Sequence, residues 1–413
     1  MNAASDEGGV SNARPQPSQK LELCELFRDL GGFAHIALAV SGGADSLALL
    51  IMIRRWLDRL TAPVPQITVL TVDHRLRPAA AAEAEWVAAR AKELGFAHET
   101  LVWAEDKPST GIQAAARAAR YGLMSRFCKQ HDIPVVVTAH TRNDQAETVA
   151  MRLARGSGVD GLSGMALLSE CGGVQLLRPL LPVARSDLEA LLRSEGREWL
   201  EDPSNQSELY ERVRIRKALR TLETLGISDD SLALTARRMR RARTALEISV
   251  AAFLQEHLTV HEAAYAELPM STFLDAPEEL ALRALARITP AFGGIANPPQ
   301  LARLEDACLK LRQRPSRLTI GGCLLSLRRD DLVITREFGR LDRAQTPLQP
   351  GQTVQWDRRF TICAPDNYGE TLMVRPLGAD GLAAIKQAGG GLAPVPRAAA
   401  MTLPSLWSGG VGP

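Results

Sequence analysis

An aliphatic run at residues 35–40 passes without a break into Ser41-Gly42-Gly43-Ala44-Asp45-Ser46, and Leu47-Ala48-Leu49-Leu50 follow at once. The run reads as a buried strand, and the Leu/Ala segment beyond the glycines reads as a helix. A strand that turns directly into a helix implies a parallel sheet, because the helix carries the chain back over the sheet before the next strand. No other feature of the chain constrains its fold as much.

The alternation then repeats. Strand patterns fall at residues 35–40, 66–73, 96–103, 134–139 and 174–178, with helical patterns at 46–60, 80–94, 113–130, 144–155 and 185–195. Residues 21–205 therefore read as one α/β domain, a doubly wound, Rossmann-like parallel sheet covered on both faces. The turn signal Asp202-Pro203-Ser204-Asn205 closes it. Residues 206–340 read as a second, mainly helical and Arg-rich domain, with a hairpin suggested at 318–336. A small Gly- and Pro-rich α+β module at 341–413 follows. Residues 1–20 lack any apolar core and read as a disordered tail.

The chain has 413 residues, 46% hydrophobic and 23% charged, enough for two or three soluble domains. The longest apolar runs fall short of the roughly 18 to 20 residues a membrane span requires, so a membrane role is not expected. Six widely spaced cysteines without a C-x-x-C pair fit reduced thiols in the cytoplasm and argue against a metal cluster. A net charge of +2 does not advertise nucleic-acid binding, but charge is concentrated locally. Arg212, Arg214, Arg216, Lys217 and Arg220 form one cluster and Arg237, Arg238, Arg240, Arg241 and Arg243 another.

The Gly-Gly bend has the makings of a phosphate trap. Glycines let backbone N–H groups converge, and the helix that follows adds roughly half a positive charge at its first turn. Asp45 would repel phosphate directly, so its place there makes sense if it holds a Mg²⁺ that bridges to the phosphates. The plain alternative is a βα turn with Ser46 as helix cap. Absence of G-x-x-x-x-G-K-[ST] disfavours γ-phosphate transfer.

S-G-G-x-D-S between strand and helix resembles the pyrophosphate-binding loop of the N-type ATP pyrophosphatases, which cleave ATP between its α- and β-phosphates to adenylate a substrate. Later segments narrow the likeness to the lysidine synthetases. These are Val72-Asp73-His74-Arg75-Leu76-Arg77, Ala115-Ala116-Arg117-Ala118-Ala119-Arg120-Tyr121, and His140-Thr141-Arg142-Asn143-Asp144-Gln145-Ala146-Glu147-Thr148. The last continues through Arg155-Gly156-Ser157-Gly158 to Gly161-Leu162-Ser163-Gly164-Met165, and Arg178-Pro179-Leu180-Leu181 and Tyr210-Glu211-Arg212-Val213-Arg214-Ile215-Arg216 agree. Gln113 stands where that family usually has Glu, and Val213 where it commonly has Asn. Past Lys217 the likeness is weaker.

The resemblance implies a ligase that uses ATP and Mg²⁺ to join L-lysine to the wobble cytidine of an isoleucine tRNA with a CAU anticodon, either as a monomer or as a homodimer. Ser41, Gly42, Gly43, Ala44, Asp45 and Ser46 would hold the nucleotide, with Asp45 as metal ligand and His74 and His140 near the adenine or ribose. Asp144 and Glu147, three residues apart on one helix face, would receive the lysine ammonium, although acids in a first turn also serve as plain caps. Arg178 would meet the α-phosphate or the tRNA backbone. Arg117, Arg155, Arg212, Arg214 and Arg216 would face tRNA, with Arg212, Arg216 and Arg220 forming a phosphate-tracking stripe. Two alternatives stay open at this point: a tRNA 2-thiolation enzyme on the same loop, and a non-catalytic tRNA-binding protein.

Overall fold

The computed structural model describes residues 22–61, 63–201, 210–367, 369–392 and 394–408. The expected tail and the turn at 202–205 lie outside the described residues. Two compact units are present, Met1–Arg243 and Thr244–Pro413.

The first unit opens with a short helix α1 (Leu23–Leu26) and then alternates: β1 (His35–Ala39), α2 (Ala44–Leu57), β2 (Gln66–Asp73), α3 (Ala80–Glu93), β3 (Ala97–Val102), α4 (Ile112–Gln130), β4 (Val135–Thr138). It continues through α5 (Arg142–Ala154), α6 (Val159–Leu162), β5 (Leu168–Cys171), β6 (Val174–Leu177), α7 (Arg185–Ser194), α8 (Glu211–Glu223) and, up to Arg243, the first half of α9 (Asp229–His257). The six strands lie in the order β3-β2-β1-β4-β6-β5. All pairings are parallel except β5 with β6.

All five strand patterns are strands, and the sheet is doubly wound because its central strands are apolar on both faces. In β1, Ile36 and Leu38 enter a core built with α1, α2 and α7, while Ala37 enters the opposite one with Met124 and Cys128 of α4. In β4, Val135 and Val137 take the first core and Val136 the second. Helix α2 is apolar nearly all round, with Leu47 through Ile53 buried, so it lies deep under the sheet.

The antiparallel edge strand β5 was not foreseen. Its half-exposed Leu168-Ser169-Glu170-Cys171 carries a weak pattern, but Gly172-Gly173, both at positive φ, supply the tight turn of a β-hairpin. A Gly-Gly pair four residues after Leu168 was the signal for it.

In the second unit the hairpin suggested at 318–336 exists as β9 (Arg317–Ile320), β10 (Cys323–Arg328) and β11 (Asp331–Arg336). It is widened by β7 (Thr259–His261) and β8 (Tyr265–Pro269) into a five-stranded antiparallel sheet, β7-β8-β11-β10-β9. The two added strands interrupt the mainly helical stretch read from residue 206. They are short, and β8 earns its place by pairing with β11 far along the chain, a contact that local pattern does not carry. Helices α10 (Met270–Asp275), α11 (Glu278–Gly293) and α12 (Leu301–Arg312) belong to the same core.

The tail of this unit holds a three-stranded sheet, β12 (Thr346–Leu348), β15 (Leu372–Pro376) and β16 (Pro404–Trp407), and a hairpin, β13 (Thr353–Trp356) with β14 (Phe360–Cys363). Helices α13 (Gly378–Gln387) and α14 (Arg397–Ala400) complete it. Buried Arg336, at the end of β11, donates to both carboxylate oxygens of Asp357 at the hairpin tip and ties the hairpin down. Among the described residues no helix is long and apolar enough to cross a membrane.

Since Leu38 is fully buried between α2 and α7, Leu38→Ala leaves a cavity that cannot collapse and costs about 2 to 5 kcal/mol. Urea denaturation of the full chain checks this, with the exposed Leu153→Ala expected to change stability by less than about 0.5 kcal/mol.

Candidate active site

The chain winds outward from β1 in both directions, to β2 on one side and β4 on the other. Loops leaving the carboxyl ends of these neighbours diverge and open a crevice, the usual ligand position of such sheets. A cavity of about 920 Å³ lies there, lined by Ser41, Gly43, Ala44, Asp45 and Ser46 after β1 and by His140 and Asp144 after β4. Arg117, Arg120 and Tyr121 of α4, Arg185 and Glu189 of α7, and Arg212, Val213, Arg216, Lys217 and Arg220 of α8 complete most of its wall.

The glycine bend is required sterically. Gly42 has φ +85°, and a Cβ there would lie 2.6 Å from Leu200 Cδ1, while the Leu200 N–H donates to the Gly42 carbonyl at 3.0 Å. Helix α2 starts from Gly43, which offers no side-chain cap. Ser46 is not the cap either: its hydroxyl donates to the Gly43 carbonyl (2.9 Å) and accepts from the Ser41 N–H (3.2 Å), which locks the loop. An uncapped helix N-terminus facing the cavity suits an anion.

Asp45 stands in the first turn of α2. Its Oδ2 accepts from Arg185 Nε at 2.9 Å and lies 2.9 Å from Arg185 Nη2 in an ion pair, while Oδ1 is buried without a protein partner. Burial raises its pKa, opposed by Arg185 and reinforced by the charge of Asp144. An acid with one engaged oxygen and one orphaned buried oxygen fits a cation, so Asp45 meets the requirement for Mg²⁺.

Asp144 divides its work between its two oxygens. Oδ2 accepts from the Thr141 N–H (2.8 Å) and Thr141 Oγ1 (2.9 Å), closing a capping box at the start of α5. Oδ1 turns to the arginines, Arg212 Nη2 at 2.9 Å and Arg185 Nη2 at 3.3 Å. The cap reading of this residue thus holds, and the same side chain also lines the cavity. Burial works against its charge, but Arg212, Arg185 and the Thr141 N–H outweigh it and hold the carboxyl below its usual range.

Glu147, one turn on, is 2% exposed and accepts from Arg212 Nε (2.5 Å) and Arg216 Nε (2.7 Å). Helix α8 delivers these arginines because its Leu219 and Ile215 pack with Ala146 and Val149 of α5 and Leu232 and Ala236 of α9. The stripe at 212, 216 and 220 is therefore on one helix face, with Arg212 and Arg216 turned onto the acids. Val213 is buried and adds an apolar patch to the cavity wall.

The other expected site residues divide. His140 lines the cavity, with Nδ1 2.9 Å from Thr138 Oγ1, and Arg117 lines it stacked over Tyr121. His74 packs edge-on against Trp103, with Nδ1 buried and unpartnered, and is not among the lining residues. Arg178 donates from Nη1 to the Ala166 carbonyl and Ser169 Oγ, fastening the β5–β6 hairpin. Arg155 forms an exposed pair with Glu211. Arg214 is exposed and outside the lining. In the distal cluster, Arg240 donates to the carbonyls of Ser163 and Met165 and Arg243 pairs with Asp160, so both secure the loop around α6.

Arg185 was missed by sequence reasoning. Its signal was a cation in the first turn of a helix, where the dipole disfavours it. The signal is not specific, because Arg142 carries it too and makes only a partly exposed pair with Asp230. Sulfur chemistry draws no support from the buried cysteines. Burial pushes the thiols of Cys128 and Cys308 up to about 11 and that of Cys323 up to about 12, far from a reactive thiolate.

A family model for the PP-loop domain, ATP_bind_3, matches residues 15–223. The chain is 38% identical over 380 residues to the tRNA(Ile)-lysidine synthase of Ruegeria pomeroyi, covering 91% of this chain and 86% of that protein. To that of Rhodopseudomonas palustris it is 42% identical over 327 residues, covering 76% and 93%. To that of Wolbachia pipientis wMel it is 35% identical over 348 residues, covering 83% and 80%.

Burial, with the neighbouring Arg178, Arg117 and Arg120 prevailing over Asp144, pushes the His140 pKa from 6.5 down to about 3. The unfolded chain therefore takes up this proton below about pH 6.5 and the folded chain does not, so stability falls as pH drops through that window. Between pH 7 and pH 5 the loss from this group is about 2 kcal/mol. Denaturation of the full chain and of His140→Asn at both pH values checks it, the difference between them shrinking at pH 5.

Proposed function

The chain belongs to the tRNA(Ile)-lysidine synthase family of PP-loop proteins, and we propose that the cavity at the β1/β4 switch point joins L-lysine to the wobble cytidine of a CAU-anticodon tRNA. It is an ATP-consuming ligase that forms lysidine on tRNA. The observation that supports the site assignment is a cavity that holds both the uncapped glycine loop, its adenylating half, and Asp144, its amine-binding half, with buried Glu147 one turn on in the wall of a smaller cavity that shares Arg185 and Arg216 with it.

Two steps follow from that arrangement. O2 of the cytosine attacks the α-phosphorus of ATP, and the leaving pyrophosphate is received by the N–H groups of the loop and the first turn of α2. A Mg²⁺ at Asp45 Oδ1 would neutralise charge on the departing phosphates when bound. The ε-ammonium of lysine gives up a proton to solvent, the free amine attacks C2, and the C2–O bond breaks to release AMP. Adenylation is needed because the bare carbonyl oxygen is a poor leaving group. A wobble base in a single-stranded loop is extruded at low cost.

The acids bind the amine more than they activate it. Lysine's ammonium has a reference pKa of about 10.4, and Asp144 is held below the ordinary carboxylate range, so it is a weak proton acceptor. Its value lies in attracting the cation and aiming it. Three carboxylates (Asp45, Asp144, Glu147) already face three guanidinium groups (Arg185, Arg212, Arg216). An incoming ammonium therefore displaces Arg212 or Arg216, which the phosphates of tRNA or the adenylate then take up. Recoding follows, since the product base pairs with A in place of G.

Incubation with ATP, Mg²⁺, labelled lysine and an unmodified CAU-anticodon tRNA tests the reading, with label expected in the RNA and AMP released. Asp144→Asn and Glu147→Gln are expected to raise the KM for lysine at least tenfold while tRNA adenylation persists. Wild-type protein that releases AMP only with a sulfur donor, or acid variants with unchanged lysine dependence, would overturn it.

A further inference from the structure

Asp45 and Asp144 begin neighbouring helices at the ends of neighbouring parallel strands, and each charge disfavours the other. A third element joins them. Arg185, the first residue of α7, reaches both: Nε and Nη2 to Asp45 Oδ2, and the same Nη2 to Asp144 Oδ1. Its own position is fixed from behind. The Arg185 backbone N–H donates to Asn143 Oδ1 at 2.8 Å, and Asn143 Nδ2 donates to Asp229 Oδ2 at 2.6 Å.

Geometry gives the bridge a consequence at each end. A hydrogen bond from Nε and an ion-pair contact from Nη2 both hold Asp45 Oδ2, which leaves Oδ1 as the buried, unengaged oxygen. At the other end the bridge shares Asp144 Oδ1 with Arg212, so Asp144 keeps one neutralising partner when a substrate ammonium displaces the other. A lysine at position 185 would supply the charge without the planar fork.

We propose that Arg185 is a positioning residue that sets Asp45 Oδ1 for the metal–nucleotide and Asp144 for the incoming amine, coupling the adenylating and amine-binding halves of the cavity. The inference rests on the placement of those two acids in the halves proposed above.

The test uses the full chain and the inert analogue α,β-methylene-ATP. Calorimetric titration with and without Mn²⁺ is expected to show that Arg185→Met weakens the metal-dependent part of nucleotide binding at least tenfold and leaves the metal-free part unchanged. In lysidine formation the same variant raises the lysine KM at least tenfold with the tRNA KM unchanged. Arg185→Lys, which keeps the charge and guards against misfolding of the first variant, falls between, and methylguanidine restores activity to Arg185→Ala. Equal losses in metal-free nucleotide, tRNA and metal-dependent binding would reduce Arg185 to a structural prop and overturn the proposal.

Asp45→Asn and Asp144→Asn separate the two levels. If they leave Mn²⁺ dependence and lysine KM unaltered, the reading of the site fails. If they shift both and Arg185→Met shifts neither, the bridge alone fails.

Discussion

Mutual repulsion of carboxylates gathered at the ends of β1 and β4 is the constraint around which the first unit is arranged. A parallel sheet wound in both directions aims two helix N-termini, α2 and α5, into one crevice, and each brings an acid in its first turn. The helix ends favour those charges and burial opposes them. An isolated buried carboxylate costs several kcal/mol, more than a helix end returns, so cations must come from elsewhere. They come from α7, which packs on α2, and α8, which packs on α5.

That requirement separates two kinds of ion pair along the same stretch of chain. Arg155 with Glu211 is exposed on both sides and contributes at most about 1 kcal/mol. Arg212 and Arg216 with Glu147 enclose an acid that is 2% exposed, and removing either arginine leaves one buried carboxylate oxygen without its partner. Burial also fixes geometry, since Glu147 has one guanidinium on each oxygen. The cluster is thus balanced in charge, with three carboxylates facing three guanidinium groups.

Much of the first unit was legible because its signals are local. Gly42 needs positive φ, Ser46 sits in register to close the loop, and the apolar runs at 35–40, 66–73 and 134–139 stand between helical stretches. Thr141 and Asp144 are spaced for a capping box, and Glu147 follows one turn later. Strands β5, β7 and β8 were not legible: β5 and β7 are short and largely unburied, so they carry little pattern, and β8 takes its place from β11, a partner distant in sequence. Arginine partners were not legible for a related reason. A charge run looks alike whether it faces solvent, a backbone carbonyl or a buried acid, and Arg178, Arg212 and Arg240 proved to have protein partners.

By itself the sequence determined a strand–glycine–helix unit, a doubly wound sheet and the identity of three acids, because each is written in residues close together in the chain. Tertiary structure decided which cations meet those acids. Arg185 lies 140 residues from Asp45, and Arg212 lies 68 from Asp144. Pairings at such separation depend on the winding of the sheet and the packing of α8 on α5, and no local pattern in the chain encodes them.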